Sequence, residues 1–134
     1  MKTPRILLLL PLILLASCAA PLVLVGMGAA VGIWTYDDLN DDGGHMIVHA
    51  SAQDVFLVAK NAVEARPNAK DITVTRGSMR IEFLEDKAKV AVQIMLLPDT
   101  PEFSNLKVYA AELGIHGRAD LARDVAQDIN SRFK

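Results

Sequence analysis

A lone thiol, a run of carboxylates and three imidazoles carry most of the chemistry this chain could offer. Cys18 is the single cysteine among 134 residues. It cannot close a disulfide within the chain, so its thiol is open to modification. Asp37-Asp38-Leu39-Asn40-Asp41-Asp42-Gly43-Gly44 concentrates oxygen donors. Asp38, Asn40 and Asp42 alternate ahead of Gly43, which matches the first half of a calcium-binding loop, where oxygen ligands at every second position precede a glycine turn. The match then fails, because His49 stands where the closing bidentate Glu belongs. The segment is therefore expected to be a solvated turn with no metal. His45 and His49 are four apart and would share a helix face, as a zinc pair does. HMIVHA reads instead as a strand, where that spacing is about 13 Å, too far for one ion. His116 sits in a turn beside Gly114 and Gly117. No Ser-His-Asp set, paired catalytic carboxylates or phosphate loop is legible, so neither an enzyme nor a cofactor is expected.

The flank of Cys18 is more specific. Lys2 and Arg5 form a basic start, Ile6 to Leu15 an apolar run broken only by Pro11, and Ala16 and Ser17 are small. That is the grammar of an export leader. The apolar run is about 10 residues, roughly half of what a bilayer span needs. Pro11 and Pro21 would each break a hydrogen bond in any longer helix across it. Leu15-Ala16-Ser17-Cys18 resembles the lipobox of bacterial lipoproteins. The resemblance implies that residues 1–17 are a signal peptide and that the signal peptidase reads Leu15, Ala16 and Ser17. It also implies that Cys18 carries diacylglycerol on sulfur and a further acyl chain, such as palmitate, on its freed amine. Ala19, where such lipoproteins of the inner membrane tend to have Asp, points to the outer membrane, facing the periplasm. Membrane lipid, through covalent acyl chains, is then the first expected partner, with another envelope protein or a second copy as further ones.

Loss of the leader removes Lys2 and Arg5. The formal charge of −2 becomes about −4, and a mildly acidic chain without a basic patch is not a phosphate-tracking nucleic-acid binder. Residues 18–36 remain free of charge and rich in small residues, and read as a lipidated tether. Gly28 and Gly32 form one GxxxG, a spacing that lets apolar helices approach closely. Trp34 and Tyr36 close the tract, as aromatics at a membrane–water interface do. Residues 37–44 are the acidic linker.

The elements that would position these groups lie in residues 45–134. His45 to Ala50 reads as a strand. Ser51 caps a helix, with Asp54 three residues on, and Val55, Phe56, Ala59, Ala62 and Val63 give it one apolar face before Pro67-Asn68 ends it. Alternation then predicts four strands: Ile72–Thr75, Met79–Phe83, Val90–Leu96 and Leu106–Ala110. Turns fall at Gly77-Ser78, Glu85-Asp86 and Pro98–Pro101. Leu121, Ala122, Val125, Ile129 and Phe133 recur at helical spacing, with Asp120, Asp124 and Asp128 on a wet face relieved by Arg123 and Arg132. The expected fold class is α+β: a small antiparallel sheet with two helices on one face, in the order β-α-β-β-β-β-α. Lipobox, Gly-rich tract and such a domain together resemble a group of short bacterial envelope lipoproteins with one domain of unknown function, which transfers no catalytic residue. The expectation is a non-enzymatic, membrane-anchored binding or structural module. Its alternatives are a metal-dependent ligand binder using Asp37–Asp42 and a membrane element self-associating through Gly28 and Gly32.

Overall fold

The computed structural model describes residues 32–37, 41–113 and 115–133. Its elements run β1 (Thr35–Tyr36), β2 (Gly43–Val48), α1 (Ala52–Glu64), β3 (Lys70–Thr75), β4 (Arg80–Glu85), β5 (Ala88–Leu96), β6 (Ser104–Glu112), β7 (His116–Gly117) and α2 (Ala119–Ser131). All strands join one antiparallel sheet in the order β1-β2-β6-β5-β4-β3, and β7 pairs with the far end of β6. The α+β class and the order of the main elements are those expected. Strands β3 to β6 form a meander through short turns. Strand β2 lies beyond β6, so the chain crosses the width of the sheet through α1 to begin β3 at the opposite edge.

Period-two patterning fixes the inner face. Ile81 and Phe83 of β4, Val90, Val92 and Ile94 of β5, and Leu106, Val108 and Ala110 of β6 are buried. Each strand hands its alternate side chains to the same side. The two helices cover that side with Val55, Phe56, Ala59, Ala62 and Val63 from α1 and Leu121, Ala122, Val125 and Ile129 from α2. Phe133 packs on the same core, partly buried. Ser51 is the N-cap of α1: its Oγ accepts from the Asp54 amide at 3.2 Å and its hydroxyl donates to Asp54 Oδ2 at 2.7 Å. The exchange satisfies one orphan amide of the first turn.

Leu96 continues the alternation of Val90, Val92 and Ile94, as expected, and is 64% exposed. Two expectations need correction. The first strand begins at Gly43, two residues before His45, and the sheet gains Thr35–Tyr36 as an extra strand. Trp34 packs against the core, and Tyr36 Oη accepts from Arg123 Nη1 of α2 at 3.3 Å, so these two aromatics belong to the fold. Gly44 is the reason Trp34 fits: a Cβ there would meet the indole at 2.8 Å.

Candidate functional site

Of the residues assigned to lipidation and leader recognition, Leu15, Ala16, Ser17 and Cys18 lie outside the described residues, as does Gly28. Gly32 is described and lies against β2. A Cβ on it would meet Ile47 O and Met46 Sδ, both at 2.9 Å. Its lack of a side chain is used there by the domain, whatever Gly28 does.

The acidic turn connects two strands rather than two helices. The Asp37 amide donates to Gly43 O at 3.0 Å, and the Ala110 amide donates to Asp42 O at 2.7 Å, which pins the turn to β6. Asp38 and Asn40 lie outside the described residues. Asp42 is half-buried, and its Oδ1 is enclosed without a hydrogen-bond partner. Among the described residues no group of three or more His, Cys, Asp or Glu side chains is arranged to hold a metal ion. His45 lies within β2 and His49 just past its end. His45 Nδ1 faces Asp37 Oδ1 at 3.7 Å, whereas the His49 ring stacks on Phe103 with centroids 4.5 Å apart. His116 is exposed in β7. Near Asp37 stands Tyr109 of β6. Burial first, and then the Asp37 carboxylate beside it, hold the phenol above its ordinary range, because both disfavour a second negative charge.

The carboxylate ladder of α2 divides into two parts. Asp120 pairs with Arg118 at 3.0 Å, which lowers the carboxyl below its usual range. Asp124 and Asp128 instead turn to Arg66, just past the end of α1. The Arg66 guanidinium grips Glu85 through two bonds of 2.7 Å, from Nε and Nη2. It reaches Asp124 at 2.8 Å and Asp128 at 3.4 Å. Glu85 is 6% exposed and Arg66 12%. This clasp ties the end of α1, the end of β4 and the outer face of α2 into one unit. The pairing with Glu85, opposed by burial, holds the guanidinium well above its ordinary range, so it is charged at any working pH. Sequence reasoning missed the clasp. The available signal was Glu85 itself: it follows Ile81 and Phe83 on the inward side of β4, and an acid there requires a cation.

Beside the clasp lies an open cleft of about 710 Å³, lined among others by Asn68, Gln127, Ser131 and Arg132. Among the described residues its lining includes no histidine or cysteine, Arg66 is saturated by three carboxylates, and the Ser131 hydroxyl is spent on Asp128 O at 2.7 Å. The groups lining it therefore brace helices rather than form a nucleophile–base pair.

The face of the sheet away from the helices presents a second surface. Cross-strand pairing sets it out in rows. Ile47, Asn105 and Met95 form one; His45, Lys107, Gln93 and Arg80 the next; Tyr109, Ala91 and Glu82 a third. Glu82 is bridged by Arg80 and Lys89, each at 3.2 Å, which holds its carboxyl below the ordinary range. Among the described residues no helix is long and apolar enough to cross a membrane. Comparison with known proteins finds no matching family model and no curated protein of significant similarity.

Proposed function

We propose that this chain is a bacterial envelope lipoprotein, held to a membrane by acyl chains on Cys18, whose small α+β domain works as a non-enzymatic binding or structural module in the periplasm. One observation carries the reading: the only cysteine stands directly after Leu15-Ala16-Ser17, at the end of a short apolar run with a basic start. One acyl chain gives marginal attachment and two or more give a stable one, at about 0.8 kcal/mol per buried CH₂. Ala19 favours the outer membrane. The domain supports a binding role by what its surfaces offer. Among the described residues one face of the sheet carries no helix, and the cleft beside the clasp is braced by an ion cluster whose groups are already paired.

The test is metabolic labelling with a clickable palmitate analogue in a diderm bacterium expressing the chain. The parent protein takes up label and fractionates with membranes. Cys18→Ser takes up none and accumulates as the uncleaved precursor. A Cys18→Ser protein that is still processed at that site and still found in membranes would remove the reading.

A further inference from the structure

Exposed apolar side chains collect at both ends of the sheet, Leu113 and Ile115 at the end of β6 and Ile33, Ile47, Met95 and Leu96 at the other, and Gly32, the first described residue, stands at the second. Ile47 and Met95 are neighbours in the outermost row of the open sheet face, across Asn105, and are 40% and 42% exposed. Leu96, at the same end but on the helix side of the sheet, is 64% exposed. Extending the Thr35–His45 pairing by two residues places Ile33, 82% exposed, beside Ile47, and the close approach of Gly32 to Ile47 O agrees with that register. The partly buried Phe103, stacked on His49, completes the rim. The next row inward, about 7 Å along the strands, carries Lys107 and Arg80. Aliphatic groups at an edge with long cationic side chains one row behind match the depth profile of a bilayer surface. There the apolar part sinks about 5–10 Å into the headgroup–acyl boundary, and the cations stay at the phosphates. The adjoining 98–103 turn carries Asp99 and Glu102. Such a mixture of signs suits zwitterionic headgroups, which offer both a phosphate and an ammonium, better than a strongly anionic surface.

From this geometry we infer that the Ile33–Ile47–Met95–Leu96 end of the sheet is a seat for a zwitterionic phospholipid bilayer, orienting the domain on the membrane that holds its anchor. The inference rests on the lipoprotein reading. Position 31 is joined to Cys18 by 13 residues, whose covalent reach is at most about 45 Å, so the tether enters the fold at the end bearing Ile33 and lets that end reach the lipid.

The full-length protein, extracted from membranes and reconstituted into phosphatidylethanolamine–phosphatidylcholine vesicles, provides the test. Single cysteines replace Ile47, Met95 or Leu96 at the seat, and Leu57 or Leu113 as exposed apolar controls elsewhere. Each is labelled with a polarity-sensitive fluorophore and quenched by nitroxide-bearing lipid. Probes at 47, 95 and 96 are expected to shift to the blue and to be quenched at least about threefold more than those at 57 and 113, as burial at the acyl boundary requires. Equal quenching at all five positions, or stronger quenching at 57 or 113, overturns the seat. The parent protein separates this from the underlying reading, since acylated Cys18 takes up no label. Labelling of the parent overturns the lipid anchor and the seat with it. Position-independent quenching with an unlabelled parent overturns the seat alone.

Discussion

Arg66 and Tyr109 are two residues whose consequences can be worked out from their immediate partners. Glu85 is almost wholly enclosed and its carboxylate is answered by Arg66 alone among the ion pairs it makes. Removing one member of a buried pair leaves the other charge uncompensated, which costs about 3–5 kcal/mol, whereas replacing both by apolar groups is often neutral. Arg66 is not fully sealed and Asp124 is largely exposed, so the lower end applies. Arg66→Met is expected to cost about 3 kcal/mol in urea unfolding. Arg66→Met with Glu85→Leu should regain most of that, and a double variant no better than the single one would show that the clasp is not the source. Tyr109 behaves differently because its proton is at stake. Its folded pKa is raised above 10.0, so the folded state favours the neutral phenol. Stability from this group is whole below the unfolded value and is lost as pH rises through the folded one. Unfolding free energy followed from pH 9 upward is therefore expected to fall more steeply for the parent than for Tyr109→Phe. Parallel curves would mean that Asp37 and burial do not act on Tyr109 as the structure indicates.

At the scale of elements, the tightest turn holds an unspent gain. Glu85 pairs with Ala88 across a two-residue loop, and both loop residues have positive φ, 48° at Asp86 and 64° at Lys87. That is the geometry in which Asn-Gly or Asp-Gly is preferred, since a left-handed backbone costs a residue with a Cβ about 1–2 kcal/mol. Lys87→Gly is expected to stabilise by about 1 kcal/mol and to raise the thermal midpoint by several degrees, read by calorimetry. A lower midpoint would place the strain elsewhere. The same turn marks how far sequence reaches. Alternation in Ile81-Phe83 and Val90-Val92-Ile94 makes β4 and β5 legible, because the period of a strand is written directly in which residues are apolar. Helical spacing does the same for α1 and α2. What alternation does not contain is where a neighbouring layer ends. Leu96 obeys the pattern of β5 and is exposed, while Ser104 and Val48 in the same row are fully buried. The clasp was illegible for a related reason. Asp124 and Asp128 look like any wet helix face until the packing of α2 beside the end of α1 brings them to Arg66. The packing of Trp34 and Tyr36 is not legible in the sequence, because aromatics after an apolar tract carry the same local signature whether they meet lipid or a sheet edge. Only the pairing of Thr35 with His45 distinguishes the two.

For the whole molecule, that pairing decides where the folded unit begins, and so what any soluble form must contain. Trp34 lies over Gly44 and on the core, Tyr36 reaches Arg123, and β1 covers what would otherwise be an open edge of β2. An exposed edge is a template for unwanted pairing, so β1 contributes protection from aggregation as well as burial. The opposite edge, β3, has its own protection: the register of β3 shifts between Lys70 and Thr73, Asp71 has φ of 52°, and two charged side chains stand at the irregularity. A chain that starts at Gly32 keeps every described contact of this segment. One that starts at Asp41 loses the indole, the Tyr36 hydrogen bond and the edge strand together. Truncating a partly buried Trp is worth about 2–3 kcal/mol, somewhat less than the cost at a fully enclosed site. Against a total of about 5–15 kcal/mol for a domain of this size, that is a large fraction. The Asp41 form is expected to unfold at a distinctly lower urea concentration than the Gly32 form and to aggregate sooner at matched concentration. Gly44→Val in the longer form, which drives a side chain into the Thr35 carbonyl of β1 and into the indole, should reproduce much of the stability loss by displacing both. Equal midpoints for the two truncations would mean that Trp34 and β1 are not integral to the fold. The N-terminal boundary of the domain would then move back toward Gly43.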